Sequence, residues 1–251
     1  MDFYKYKNAS EEEIINAIKD SYGEEIQFVA NPTEEMQLAA IDASDEGILV
    51  YLENPTEKAI KAALSKSPFD IQYLKDPSEE AQILAVSAKP NTIYFIENPT
   101  PAVQLLAVKA DSLNIKLIKE PTEEAILAAV SKSPRLIRYI KNPSLNVQLA
   151  CVKTDPMYVK HINTPTEEIQ LTVVENDPFM ISYITHPTKK VMLKVIEEHP
   201  EVISLINAFD EEVLVKALPY ASKEDIWRYL VKNNVTPEML SDETNLMIEL
   251  K

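Results

Sequence analysis

Proline returns along this chain at a fixed interval. Eight prolines fall at positions 32, 55, 77, 99, 121, 143, 165 and 187, one step of 23 residues followed by six of 22. Proline has no backbone N–H and a fixed φ, so it breaks a helix and is excluded from a central strand. No regular element can run through these positions, and each stretch between them must fold as a short unit of the same kind. Self-similarity at a period of this size defines a solenoid, whose units bury their apolar surface only against their neighbours.

Each proline belongs to a similar phrase, such as Asn31-Pro-Thr-Glu-Glu-Met-Gln-Leu-Ala-Ala-Ile and Asp76-Pro-Ser-Glu-Glu-Ala-Gln-Ile-Leu-Ala-Val. A second series, Pro68, Pro90, Pro134, Pro156, Pro178 and Pro200, follows the first by 13 residues. Degenerate copies flank the clear ones, with Ala9 and Phe209 in the proline slot. The reading is ten repeats, starting at 8, 31, 54, 76, 98, 120, 142, 164, 186 and 208 and running to 231, in one solenoid domain spanning 1–251. Residues 1–7 form an N-terminal extension. Residues 232–251 form a cap whose helix is expected to start at Thr236-Pro237-Glu238.

Position 3 of every repeat is Ser, Thr or Asp, residues whose side-chain oxygen caps a helix N-terminus. Glu follows at positions 4 and 5 in most copies, where the helix dipole favours anions. Helix A then carries apolar residues mainly at positions 6, 7, 8, 10 and 11. That arc is too wide for one neighbour and fits a helix sandwiched between two repeats. Position 7 is Gln in repeats 2, 4, 5, 7 and 8. A buried amide must be satisfied, so these side chains are expected to bond the adjoining Asn-Pro turns. Proline at position 15 opens a short helix B, in places 3-10, with apolar positions 18, 20 and 21. The next Asn-Pro stops it. The expected fold is therefore an all-α, right-handed solenoid of two-helix repeats.

Composition narrows the function. The chain of 251 residues has 17 Pro but only 2 Gly. Dinucleotide fingerprints, phosphate loops and nucleophile elbows all need clustered glycine. One cysteine excludes a disulfide framework and an all-cysteine metal site, and fits a cytoplasmic setting. No signal core or membrane-length apolar run is present. The net charge of −15 disfavours nucleic acid and anionic membranes as partners.

The Asn-Pro-Thr-Glu-Glu-x-Gln-Leu-Ala-Ala phrase, followed by a short second helix, resembles the leucine-rich repeat variant and HEAT-like solenoids over about residues 8–231. The repeat here is shorter than theirs. The phrase is also similar to Asn-Pro-rich repeat proteins of phages and large viruses. These resemblances imply a helical scaffold that binds partners, mostly proteins, and they carry over no catalytic residue. Some variant-repeat proteins add a cysteine-bound iron–sulfur cluster, which Cys151 alone cannot hold.

No arrangement of side chains asks for a cofactor or metal. His161, His186 and His199 occupy repeat positions 20, 1 and 14 and form no column. Cys151 stands where other repeats have Ala, which reads as a small core residue. Trp227 is expected in the core of the last repeat, and the position-20 aromatics Tyr73, Phe95, Tyr139 and Tyr183 in the core of the B helices. Thirteen acids occupy positions 4 and 5 against Lys58, Lys189 and Lys190. Dipole compensation explains them, with imitation of a phosphate backbone as the sharper alternative. Lys116, Lys119, Arg135, Arg138, Lys141 and Lys160 form a basic group of opposite sign.

Alanine at positions 9 and 10 allows close approach of A helices, whereas aromatic B helices need more room. Helix A is therefore expected to line a concave groove, with Leu84 and Leu106 facing solvent. The expected contact set is Leu84, Leu106, Glu80, Lys109, Glu124, Lys153, Arg135 and Arg138. The leading reading is a non-enzymatic protein, monomer or dimer, that binds a protein partner there. The alternative is a phage or mobile-element inhibitor of a host enzyme, acting in the host cytoplasm by occlusion or acidic mimicry. A HEAT-like glycosylase or a metal hydrolase comes third, since it needs a basic groove or converging His and Asp residues.

Overall fold

The structure is a computed structural model and describes residues 5–45 and 47–251. Residues 1–4 of the expected N-terminal extension lie outside the described residues. Among the described residues there is no strand, and every repeat contains an α-helix at the predicted place. The A helices are α1 Glu11–Asp20, α2 Glu34–Ala43, α3 Glu57–Lys66, α4 Glu79–Ala88, α5 Pro101–Ala110, α6 Glu123–Lys132, α7 Leu145–Thr154, α8 Glu167–Asn176, α9 Lys189–Glu198 and α10 Glu211–Ala217. In each, the position-3 oxygen accepts an N–H from the first turn, as Thr100 does from Val103 and Thr122 from Ala125. The cap explains why helix A starts there and not at the proline.

Contacts divide the chain into two units, Met1–Ala129 and Val130–Lys251. Within each, successive A helices pack on one another and the B segments form a second layer. The B segments of the first nine repeats are 3-10, including Pro68–Tyr73, Pro90–Phe95, Pro134–Tyr139, Pro156–His161 and Pro178–Tyr183. Only a few residues separate proline 15 from the next Asn-Pro, too few for an α-helix to gain from cooperative bonding. An i to i+3 bond closes each segment, as from Leu74 N–H to the Ile71 carbonyl.

Burial follows positions 6, 10 and 11 of helix A and 18 and 21 of the B segment. Val103, Ala107 and Val108 are fully buried, as are Ile181 and Ile184. Cys151 fills the alanine slot, its thiol donating to the Pro134 carbonyl at 3.3 Å, and burial pushes its pKa up to about 12. It packs as the small residue of that slot, with its sulfur held in the thiol form.

Two expectations about the core fail. Tyr73, Phe95, Tyr139 and Tyr183 are 37–47% exposed. A 3-10 segment has three residues per turn, so position 21 falls beneath position 18 and position 20 is left at the rim. Position 17 is instead buried, by Asp70, Thr92 and Asn114 in one unit and Leu136 and Val202 in the other. Trp227 is also outside the core, at 55% exposure. The tenth repeat has no Asn-Pro after it, so its second helix continues as a full α-helix, α11 Lys223–Lys232. This helix buries Ile226, Tyr229 and Leu230, an i, i+3, i+4 set that excludes Trp227.

The helix of the cap also starts later than expected. Thr236-Pro237-Glu238 begins only a three-residue 3-10 turn, and the terminal helix is α12 Asp242–Glu249, capped by Ser241. Glu211 anchors it, accepting the Ser241 N–H at 2.8 Å and the Thr244 hydroxyl at 2.7 Å. Those bonds, the Thr244 one first, hold the Glu211 carboxyl below its ordinary pKa. A depressed folded-state pKa gives stability that is present above the unfolded value, about 4.3, and lost as pH falls through the folded value. Amide exchange corrected for intrinsic rate should therefore show α12 protected at pH 6 and released in acid below that range. Equal protection on both sides would reject Glu211 as the anchor.

Candidate interaction surfaces

The polar residues of the repeat are consumed first by the joints between repeats. Gln104 Nε2 donates to the Pro99 carbonyl of its own turn at 3.1 Å and to the Glu120 carbonyl of the next at 3.4 Å. Its Oε1 accepts the Thr122 N–H at 2.8 Å. Gln37 and Gln170 repeat all three bonds, and Gln82 bonds Pro77 and Thr100. The expected amide-to-turn bonding is present, and it crosses from repeat to repeat. No buried side-chain N or O among the described residues is left without a partner.

A second ladder runs outside it. Glu at position 4 accepts the position-3 hydroxyl of the following repeat: Glu11 from Thr33, Glu57 from Ser78, Glu79 from Thr100 and Glu167 from Thr188. Glu34 pairs instead with Lys58, and Glu167 adds Lys190. The bond from Thr188, then that from Lys190, lowers the Glu167 pKa. Part of the acidic ridge is thus inter-repeat bonding.

One sequence signal for this joint lies in the pairing of position 7 with the next position 3. Gln37, Gln82, Gln104, Gln148 and Gln170 are followed by Thr56, Thr100, Thr122, Thr166 and Thr188. Ile14 of the first repeat is followed by Thr33, whereas Ile60, Ile126 and Met192 are followed by Ser78, Ser144 and Asp210. At the last of these joints, the buried Tyr229 hydroxyl accepts the Asp210 N–H at 2.9 Å and donates to the Ala208 carbonyl at 3.1 Å. Burial is the main cause that lifts the Tyr229 pKa to about 12.

Two surfaces remain after this accounting. On the A layer of the first unit, Ile83 is 40% exposed and Leu84, Leu105 and Leu106 are half-buried. Leu84 and Leu106 are therefore less open than expected, and position 8 supplies the most exposed side chain. Glu80 pairs with Lys61 of the preceding helix at 2.8 Å. Lys109 and Glu124 are exposed on α5 and α6.

On the B layer, rings stand out. Phe69 and Tyr94 each meet Phe95 edge to face, with centroids 6.2 and 5.2 Å apart. Arg135 and Arg138 lie on such a B segment of the second unit, and Lys153 on an A helix of that unit. Of the eight expected contact residues, Leu84, Leu106, Glu80, Lys109 and Glu124 thus belong to the first unit, and Lys153, Arg135 and Arg138 to the second. Lys116 and Lys119 likewise belong to the first unit, and Arg135, Arg138, Lys141 and Lys160 to the second.

Among the described residues, no group of three or more His, Cys, Asp and Glu is placed to hold a metal. His161 lies against Tyr158, and His199 faces Glu201 at 3.3 Å. No described helix is long and apolar enough to cross a membrane. A cleft of about 700 Å³ opens between the turns after repeats 1 and 2, floored by the fully bonded Gln37 amide. Compared with protein-family models, curated proteins and solved structures, the chain matches nothing in any of the three.

Proposed function

We propose that this protein is a non-enzymatic helical-repeat scaffold, of the leucine-rich repeat variant or HEAT-like kind, that binds a protein partner on the outer face of its A helices. The observation that carries the reading is the division of labour on α4 and α5. Their amides and the Glu79 carboxylate hold the repeats together, while Ile83, Leu84, Leu105 and Leu106 keep apolar surface on the outside. A contiguous apolar patch with a charged rim, here Glu80 and Lys109, is what a protein interface requires. Engagement of position-4 carboxylates in the outer ladder weighs against acidic mimicry of nucleic acid.

A Leu84→Asp/Leu106→Asp variant should lose its partner in quantitative capture from the native cell. Ile83→Glu, which changes a more exposed side chain, should weaken retention at an unchanged melting temperature. Both variants retaining every partner as well as the wild type would overturn the proposal. So would binding that vanishes in moderate salt, since apolar contact persists there.

A further inference from the structure

We propose that the outer face of the 3-10 layer in the second unit docks an acidic peptide segment carrying apolar side chains. This face is distinct from the aliphatic row on α4 and α5, so either proposal can fail alone. Segments Pro134–Tyr139, Pro156–His161 and Pro178–Tyr183 pack side by side. Their outward positions present Tyr139, Met157, Phe179 and Tyr183, each 43–51% exposed. Met157 and Phe179 hold the same position on adjacent segments, and Tyr139 and Tyr183 share a position on the two outer ones, so these side chains belong to one layer and are not scattered singles.

Arg135, Arg138, Lys141 and Lys160 are exposed on or beside the same segments. Arg138 stacks over the Tyr139 ring at 5.0 Å. Ion pairs in this unit involve other cations, among them Lys189, Lys190, Lys194, Lys216, His199 and Arg228. The carboxylates of these segments point elsewhere. Asp155 accepts the Met157 N–H at 3.0 Å and Asp177 the Phe179 N–H at 3.0 Å. Glu201, on the next segment, faces His199.

A partner must therefore match cations and apolar rings at once. Arginine and aromatic residues dominate binding energy when a partner desolvates them, and complementary charge steers the encounter. An anionic segment whose acids alternate with apolar residues meets both conditions. A nucleic-acid strand meets the charge and can stack its bases on rings, so it is the alternative that the comparison must reject. An aliphatic side chain such as Met157 favours apolar side chains over bases.

The test is fluorescence anisotropy on the full chain with a labelled synthetic peptide that alternates Glu with Leu and Phe. Polyglutamate and oligothymidine serve as comparators. The peptide should bind best. Arg135→Ser/Arg138→Ser and Phe179→Ala/Tyr183→Ala should each weaken it by about tenfold or more. Arg135 and Arg138 are exposed, so the melt of their variant should match the wild type. Phe179 and Tyr183 are about half exposed, so their variant should melt somewhat lower but in one cooperative transition. Three results would overturn the proposal: tighter binding of oligothymidine, peptide affinity unchanged in either variant, or concentration-dependent self-association that the variants abolish. The last would make the occupant a second copy of the chain.

Discussion

Replacing Gln104 with isoleucine is expected to destabilise the joint between repeats 5 and 6 by about 3 kcal/mol. The amide serves the Pro99 and Glu120 carbonyls and the Thr122 N–H, and its residue is only 5% exposed. Isoleucine occupies the equivalent slot at Ile60 and Ile126, so the site accepts its shape. The loss would then report hydrogen bonding and not a cavity. Because a solenoid is coupled through neighbour contacts, the effect should be local at first. Urea melts should shift, and exchange protection should fall most at Thr122. Protection of Thr122 equal to wild type would show that the amide is dispensable.

The second large effect separates the two glycines. Both open a B segment at positive φ, Gly23 at +90° and Gly47 at +76°. A Cβ at Gly23 would sit 2.6 Å from the Ala40 carbonyl oxygen, backbone in the middle of α2. A Cβ at Gly47 meets nothing within 4 Å. Gly47→Ala should therefore cost only the left-handed backbone, about 1 kcal/mol. Gly23→Ala adds a clash that cannot relax without moving a packed helix, and a loss of about 4 kcal/mol is expected. Parallel denaturant titrations decide it, and equal losses would refute the close approach.

Much of this was legible because the governing signals are local. Proline spacing, the Ser/Thr/Asp caps and the alanine slot that Cys151 fills each act within one repeat. The Gln amides could be read too, since a polar group on a buried face has few available partners. The B-layer aromatics could not be read by helical habit. Tyr73 and Phe95 are apolar residues beside apolar residues, and only the three-residue turn of a 3-10 segment places them at the rim. Trp227 against Tyr229 turns on spacing: the i, i+3, i+4 set through Ile226 selects the tyrosine. The expected contact set mixes two kinds of position. Leu84 and Arg135 share no layer, and a linear reading of repeat positions does not show which outward positions adjoin.

The pairing of position 7 with the next position 3 has a consequence for building with this chain. Every Gln at position 7 is followed by Thr, so a natural rule for joining repeats is to give each Gln-bearing repeat a Thr-bearing successor. Inserting a second copy of 76–141 after Lys141 would set Ile126 against a new Ser78, the combination Ile60 already makes with Ser78. Removing 54–119 would bring Gln37 to Thr122, another combination already in use. Doubling 76–97 alone would face Gln82 with serine, which the native order never does. The array can thus be lengthened or shortened in whole blocks whose ends match.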